Sequence, residues 1–579
     1  MPKFQSTTAE DARSLNDKVL FAIARAGNGA HDQFAEMDQA SRRKTSFAVN
    51  RNLMKQIKGP IFWLVLAFLI RLLFIWCFDY VISPDGVGYV TLARNLTSGN
   101  LRDGLSTYAP PLYPLLIGLA SLFFRDGEFA GRLVSVVAGS VLIIPVYRFA
   151  EEWYGVSVAR VVIAIVALHP LLIYYSTTLL TESTYTLLFT GAVFAGWSAL
   201  SKGGRKSSLL CGLLFGACYL LKPEAALFLA VPFLALVVRT IMVKPRSVKP
   251  AMQNGLLLLV GFLLLASPYL LYLRKQTGAW TLSGKVSGHL WQGARRAGGD
   301  FTPLISPLLP GWTTAIVQLT KALRFEFELL NLLLPATFVV LAAAGLFRSP
   351  WTRERAGREL YLFLFVIAAV LGYAITLPNI RFLMPLLPLL LLWVAKGVAE
   401  LETWIRETLT LSNTSDWPGR KSIRLLCRRF VVPVVIGILL ISVVPLFVYL
   451  MRGDKWSDYY GQKRAALWIK THDASPQPVV MSTVPVAAFY AGARHVQLVD
   501  EDYAGFIERA RSSGANHILV NERDFRYLSL LRPLLDEQTV HPGLRLDYRL
   551  AEGTDHKILL YALDQTSTSM DPGQAGKTP

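Results

Sequence analysis

Residues 110–124 read PPLYPLLIGLASLFF, and this segment decides the topology of the chain. It is apolar, yet it is shorter than the roughly 20 residues that an α-helix needs to cross a bilayer. Two prolines open it, and proline cannot occupy a helix interior without breaking it. The segment is therefore predicted to lie at the membrane interface or to re-enter from one side, and not to span.

The composition around this segment is that of a polytopic membrane protein. The chain has 579 residues, of which 53% are hydrophobic and 17% charged. The formal charge of +19 is dispersed between apolar stretches, and this pattern argues against nucleic-acid binding. Stretches long enough to span predict about eleven transmembrane helices, at 60–78, 131–149, 158–177, 183–200, 208–221, 223–241, 254–273, 330–347, 359–377, 381–399 and 431–450.

The distribution of Lys and Arg supports excluding 110–124 from the spans. If it does not cross, the basic loops 202–206, 239–249, 348–358 and 420–429 all lie on the side of the basic N-terminus. That is the arrangement that the positive-inside rule predicts. Residues 79–130, the turns near 181 and 222, the loop 274–329 and the turn near 380 then share the outer face.

The chain divides into four predicted parts. Residues 1–58 form a polar cytoplasmic tail without a secretory signal, and 59–451 form the membrane module. Residues 452–564 are predicted to form an extracytoplasmic α/β domain, and 565–579 a disordered tail. The fold class is thus mainly α, a polytopic helical bundle with a C-terminal soluble α/β domain.

Within the C-terminal part, strands and helices are predicted to alternate. The predicted strands are 478–483, 495–499, 517–521, 545–550 and 557–563, and the predicted helices lie near 461–471, 485–491, 503–513 and 526–535.

The first outer loop contains the run SPDGVGYVTLARNL at residues 83–96. Ser83 suits a helix N-cap and Pro84 the first helical position, so Asp85 falls in the first turn. Tyr89 lies four residues later, on the same face. Asp85 is thus either a functional acid or an acid that only complements the helix dipole.

Other polar residues on the predicted outer face have the same two interpretations. Glu182 is a second acid or a helix cap, and Lys222 with Glu224 flanks a tight turn or forms a helix terminus. Arg381 is a binding cation or extends to lipid headgroups. If they are functional, Asp85 is a general base and Lys222 and Arg381 hold a departing phosphate.

Common nucleotide-binding and hydrolase motifs are absent. The sequence contains no G-x-x-x-x-G-K-[ST], no G-x-S-x-G and no H-E-x-x-H, which argues against ATP-driven transport, serine hydrolysis and zinc proteolysis.

The order of these motifs resembles the GT-C membrane glycosyltransferases. The resemblance is carried by the 85–89 and 92–96 runs, Pro110-Pro111-Leu112-Tyr113-Pro114, Arg132-Leu133, Leu180-Thr181-Glu182 and the turn at Arg381. More narrowly, the sequence resembles the branch that holds the protein O-mannosyltransferases and the lipid A aminoarabinose transferase. This branch is of the glycosyltransferase family 39/83 type.

The resemblance implies transfer of a hexose or pentose from a polyprenyl-phosphate donor to a glycan, lipid or protein acceptor. It implies Asp85 and Glu182 as catalytic residues, and Tyr89, Tyr113, Lys222, Glu224 and Arg381 as substrate-binding residues. The enzyme would reside in the inner (plasma) membrane, with its site on the outer face. Many relatives have Asp-Glu where this chain has Asp85-Gly86, so a divalent metal is unsupported and no cofactor is assigned.

Two other functions remain open. One is a transporter or flippase of a lipid-linked sugar, for which charged residues near mid-span and broken helices in matching halves are typical. The other is a catalytically idle relative that only binds or scaffolds.

The topology can be tested with a reporter at Ser207, in a loop whose basic residues predict a cytoplasmic location. We expect cytoplasmic labelling at Ser207 and extracytoplasmic labelling at the C-terminus. An outer location of Ser207 would overturn the shared outer face.

Overall fold

The computed structural model describes residues 59–78, 81–242, 248–284, 311–375, 379–411, 420–452, 454–526, 528–550 and 556–564. The predicted tails 1–58 and 565–579 lie outside the described residues. Two compact units are distinguished, Met1–Phe62 and Trp63–Pro579. Every contact described below lies within the second.

The membrane part consists of α-helices, most of which are joined by connections of a few residues. Its helices are α1 (Gly59–Cys77), α2 (Pro84–Thr97), α3 (Leu101–Gly104), α4 (Leu112–Ser121), α5 (Gly127–Val141), α6 (Ile143–Tyr154), α7 (Val156–Leu168), α8 (Pro170–Thr177), α9 (Glu182–Lys202), α10 (Arg205–Tyr219), α11 (Ala225–Met242), α12 (Val248–Thr277), α13 (Gly311–Leu333), α14 (Ala336–Phe347), α15 (Arg353–Ile375), α16 (Ile380–Leu383), α17 (Leu387–Leu411) and α18 (Arg420–Arg452).

Six spans among the described residues are long and apolar enough to cross a membrane: α1, α5 with α6, α12, α15, α16 with α17, and α18. The count rises to eight if each of two bent pairs is one span. Each of the eleven predicted segments overlaps a helix, so about eleven spans are reached only if α9, α10 and α11 also cross. The predicted fold class, a helical membrane bundle with a small sheet, is confirmed.

Prolines explain both bent pairs. Helices α7 and α8 meet at 52°, because His169 precedes Pro170 and adopts extended backbone angles. Helices α13 and α14 meet at 89°, and Pro335 with extended angles stands between them. Each of these two helix pairs therefore changes direction at its break.

Segment 110–124 contains only the ten-residue helix α4. Such a helix is about 15 Å long, half of the hydrocarbon thickness. Its residues Leu115, Leu119, Leu122 and Phe123 are exposed. The prediction that this segment is too short to span is confirmed, and its place at the interface stays a prediction.

After α18 the chain forms an α/β sandwich. Its elements are α19 (Asp454–His472), β1 (Val479–Ser482), α20 (Val486–Ala491), β2 (Arg494–Gln497), α21 (Tyr503–Ser512), β3 (His517–Asn521), β4 (Leu544–Leu550) and β5 (Ile558–Leu563). The sheet order is β2-β1-β3-β5-β4, with β1 parallel to β2 and β3 and the other pairs antiparallel. The predicted strands are confirmed.

The prediction of a helix near 526–535 is wrong. Two short 3-10 helices, Glu522–Arg526 and Arg532–Leu535, occupy this region. Pro533 stands at the start of the second one, where its missing N–H needs no intrahelical acceptor, so it favours a new helix start here over continuation of a helix from 526.

Helices α10 and α12 pack with their backbones in close approach. A Cβ on Gly212 would overlap the carbonyl oxygen of Leu258, and a Cβ on Gly261 would lie 2.6 Å from the carbonyl oxygen of Leu209. Small residues allow this approach, which is how membrane helices gain packing energy without a hydrophobic driving force. Gly437 in α18 has no neighbour within 4 Å of its Cβ position.

We therefore expect Gly212→Ala to lower the thermal stability of the detergent-solubilised protein, by about 1–3 kcal/mol for a forced overlap. The matched control Gly437→Ala should leave stability unchanged or raise it, because alanine favours the helix by about 1 kcal/mol. Equal melting temperatures for the two variants would contradict the close packing of α10 on α12.

Candidate active site

Asp85 stands at the start of α2, where the predicted helix start is confirmed. Ser83 is extended, and its hydroxyl accepts a hydrogen bond from the backbone N–H of Gly86 at 3.1 Å. Pro84 occupies the first helical position. This cap fixes the first turn of α2. The Asp85 side chain in that turn is 38% exposed.

Arg381 joins Asp85 to the second predicted acid. Its Nη1 donates to Asp85 Oδ2 at 2.9 Å, and its Nε lies 3.7 Å from Glu182 Oε1. The Asn379 side chain caps the short helix α16 by accepting from the Arg381 backbone N–H. Arg381 is 296 residues from Asp85 in the chain, so the pair is made by the tertiary fold.

Glu182 and Lys222 form the buried end of the same cluster. Lys222 Nζ donates to Glu182 Oε1 at 3.1 Å, and the two side chains are only 9% and 3% exposed. Among the described residues, Glu182 Oε2 has no hydrogen-bond partner. Charges therefore alternate from Asp85 through Arg381 and Glu182 to Lys222, from the exposed side inward.

Aromatic faces complete the surroundings of the two cations. Lys222 Nζ lies 5.0 Å from the ring centroid of Phe382 and 5.6 Å from that of Tyr185. The Arg381 guanidinium lies 5.1 Å from the same Phe382 centroid. Phe382 thus contacts both cations by cation–π interaction. No feature of the sequence predicted this role of Phe382 or Tyr185.

Tyr89 and Tyr113 pack edge to face with ring centroids 5.1 Å apart. The Tyr113 hydroxyl is 2.7 Å from the Ser135 hydroxyl, inside the bundle. Burial, with Asp85 and Glu182 nearby, raises the pKa of Tyr89 well above its usual value. Tyr89 therefore stays protonated beside the acids. Tyr113 is fully buried, and its ring packs against the ring of Tyr89.

Glu224 lies apart from the alternating cluster. It forms no ion pair within the described part of the chain, and its carboxylate interacts electrostatically with the Tyr373 hydroxyl. Lys222, two residues earlier, pairs with Glu182 instead. The structure thus places six of the seven predicted site residues in or against the cluster and Glu224 at its side.

Behind Glu182 is a small cavity that is also lined by Arg71 of α1. Arg71 is fully buried and donates to Ser176 Oγ at 2.7 Å and to the Ala167 carbonyl at 3.2 Å. It therefore supplies donors at the break between α7 and α8. No sequence motif singled out this arginine.

Gly86 is required by packing. A Cβ at this position would lie 2.8 Å from Ile82 Cγ1 and 3.1 Å from the backbone carbonyl oxygen of Leu179. The start of α2 consequently rests directly on the backbone that leads into α9. No group of three or more His, Cys, Asp or Glu side chains suited to a metal ion occurs among the described residues.

Chemically, the cluster offers an exposed carboxylate beside two fixed cations. A carboxylate within reach of a hydroxyl can accept its proton, and fixed cations stabilise an anion that develops nearby. The cations are held in place by the buried Glu182 before any ligand arrives. The cluster thus contains the types of group that anion binding and proton acceptance require.

Two kinds of comparison find known proteins that are similar to this chain. Residues 108–272 match the family model described as dolichyl-phosphate-mannose-protein mannosyltransferase. A comparison with curated protein sequences gave no match.

Among solved structures, ArnT from Cupriavidus metallidurans in the apo state aligns with a TM-score of 0.55 at 15% identity, over 86% of this chain and 97% of that one. The same protein bound to undecaprenyl phosphate gives 0.53 and 14%, over 86% and 98%. An oligosaccharyltransferase of Archaeoglobus fulgidus gives 0.49 and 11%, over 89% and 75%. The chain has the fold of the GT-C membrane glycosyltransferases, so the predicted resemblance is confirmed.

The buried ion pair generates a stability prediction. In Glu182→Gln the Lys222 ammonium stays buried without a carboxylate, and losing one partner of a buried pair costs about 3 kcal/mol or more. We expect a clear fall in melting temperature. The control Glu328→Gln breaks an exposed pair with Arg324, worth at most about 0.5 kcal/mol. Similar melting temperatures for both variants would contradict a compensating role of Glu182.

Proposed function

We propose that this chain is an integral-membrane glycosyltransferase that transfers a hexose or pentose from a polyprenyl-phosphate donor to an acceptor on the outer face of the membrane. The observation that carries the proposal is the alternating cluster of Asp85, Arg381, Glu182 and Lys222. The GT-C fold supports it, as does the undecaprenyl phosphate bound by the structurally similar ArnT. The acceptor is a glycan, a lipid or a protein.

The proposed reaction is an inverting displacement at the anomeric carbon. The acceptor oxygen bonds to that carbon while the bond from carbon to the phosphate oxygen breaks, and the acceptor proton passes to Asp85. The polyprenyl phosphate leaves with the bonding electron pair. Arg381 and Lys222 stabilise the negative charge that develops on it.

The ion pair of Arg381 with Asp85 gives the donor a way to activate the base. A carboxylate paired with a guanidinium is a weak proton acceptor, because the cation favours its ionised form. A phosphate binds guanidinium as strongly as a carboxylate does, in the same fork geometry. Donor binding thus draws Arg381 towards the phosphate and releases Asp85 for the acceptor.

Glu182 serves this reaction as a positioning residue. It is 2% exposed, so an acceptor does not reach it without rearrangement, and it already contacts both cations. It offsets part of their repulsion before the phosphate arrives. This refines the catalytic role that the family resemblance implies for Glu182.

The apolar carrier chain is proposed to approach along α4. This helix packs against α2, which holds Asp85, and presents Leu115, Leu119 and Leu122 outward. A lipid chain on this surface brings its phosphate to the start of α2. The location that follows is the inner (plasma) membrane, with the α/β part outside and the N-terminus in the cytoplasm.

Transport of a lipid-linked sugar is the second candidate, because two helix pairs are sharply bent. The acids and cations of the alternating cluster do not lie in those bends, however. Asp85, Glu182 and Arg381 each stand in the first turn of a helix, and Lys222 follows the end of α10. This clustering at helix ends favours catalysis at one face.

The catalytic proposal is tested with Asp85→Asn in purified enzyme, supplied with a panel of polyprenyl-phosphate sugars and native membranes as acceptor. We expect transfer to fall about 100-fold or more, because the amide cannot accept the proton. Binding of undecaprenyl phosphate, measured as a thermal shift, should persist because both cations remain.

The matched control is Asp103→Asn, an exposed acid of the short helix α3 whose carboxylate accepts from Asn100. It should transfer at the wild-type rate. Undiminished transfer by Asp85→Asn would refute the mechanism. Flux of a lipid-linked sugar across vesicles, without transfer by the wild type, would favour the transporter.

A further inference from the structure

The α/β part contacts the start of α2 through one short helix. In α20, the Tyr490 hydroxyl accepts a hydrogen bond from the backbone N–H of Ile82 at 2.9 Å. The same hydroxyl donates to Glu128 Oε1 at 3.2 Å. Tyr490 therefore joins the α/β part to the loop before α2 and to the first turn of α5.

The hydroxyl of Tyr490 is fixed in orientation by these two bonds. Glu128 also accepts from Arg132, four residues later on α5, so its carboxylate is held by its own helix. A proton donated to Glu128 leaves a lone pair of the Tyr490 oxygen directed to Ile82. Burial, together with nearby Glu128, raises the pKa of Tyr490, so the hydroxyl remains a donor.

Two aromatic rings of α20 also make cation–π contacts with neighbouring helices. Lys463 of α19 places its ammonium 5.1 Å from the Tyr490 ring centroid. The neighbouring Phe489 ring lies 5.3 Å from the guanidinium of Arg94, near the end of α2. Helix α20 thus contacts α2 near both of its ends.

Ile82 matters because of its place in the chain. Its side chain is 1% exposed, and it precedes the cap residue Ser83. Its backbone N–H lies before the helix, where no intrahelical acceptor exists for it. A hydrogen bond at this point fixes where α2 begins, and Asp85 follows three residues later.

We infer that Tyr490 is a positioning residue, through which the α/β part sets the position of Asp85 against Arg381. The inference rests on the proposed function of Asp85 as the base. Reacting groups must meet within a few tenths of an ångström, and a displacement of about 1 Å costs about 100-fold in rate. The α/β part thereby contributes to the rate of the reaction without touching the reacting atoms.

The test compares Tyr490→Phe with Tyr503→Phe in the full-length enzyme. Both variants remove one hydroxyl from the α/β part, and that of Tyr503 donates to the Pro542 carbonyl within the same part. For Tyr490→Phe we expect kcat about tenfold lower, with KM for the donor within about twofold, because Arg381 and Lys222 are unchanged. The control should keep the wild-type kcat.

A readout independent of transfer is amide hydrogen exchange over the peptide that contains Ile82 and Asp85. Tyr490→Phe should raise exchange there, while Tyr503→Phe should not. A fall in melting temperature at unchanged kcat per folded enzyme, or unchanged exchange and kcat, would overturn the inference.

The two proposals fail in different ways. If wild-type enzyme transfers no sugar from any donor, the proposed function fails. If the wild type is active and Tyr490→Phe equals it, only the positioning role fails.

Discussion

The guanidinium of Arg381 is the point on which the site depends, because it connects carboxylates from α2 and α9. Ionised groups taken out of water are stable only when they are paired and hydrogen-bonded. Glu182 meets this condition through Lys222 and Arg381, and Asp85 pairs with Arg381. Ion pairing between these residues therefore holds their helices together, in addition to side-chain packing.

Much of this architecture follows from the sequence. Apolar stretches locate the helices, since a bilayer demands them whatever the neighbours are, and alternating short strands locate the sheet. The start of α2 follows from Ser83 and Pro84, whose preferences are local. The number of crossings does not follow, because a proline indicates where a helix is interrupted but not whether its two halves form one span, and because α9, α10 and α11 are not among the six spans.

The site was predictable only in part. The family resemblance and the distribution of charges identified Asp85, Glu182, Lys222 and Arg381, but not how they pair. Lys222 pairs with Glu182 and not with Glu224, its neighbour in sequence. The sequence does not predict the roles of three further residues, because these roles arise from tertiary contacts. They are the cation–π contact of Phe382, the hydrogen bonds of Arg71 at a helix break, and the hydrogen bond of Tyr490 to the loop before α2. Residue type alone does not reveal such roles.

Gly86 shows how the approach of two backbones limits what the chain can become. The absence of a Cβ lets α2 rest on the Leu179 carbonyl, three residues before Glu182, and so brings both acids to one guanidinium. The family resemblance implies a glutamate at this position in many relatives. In this chain a glutamate side chain there would meet Ile82 and the Leu179 carbonyl, so it would displace the start of α2 from the backbone that leads into α9.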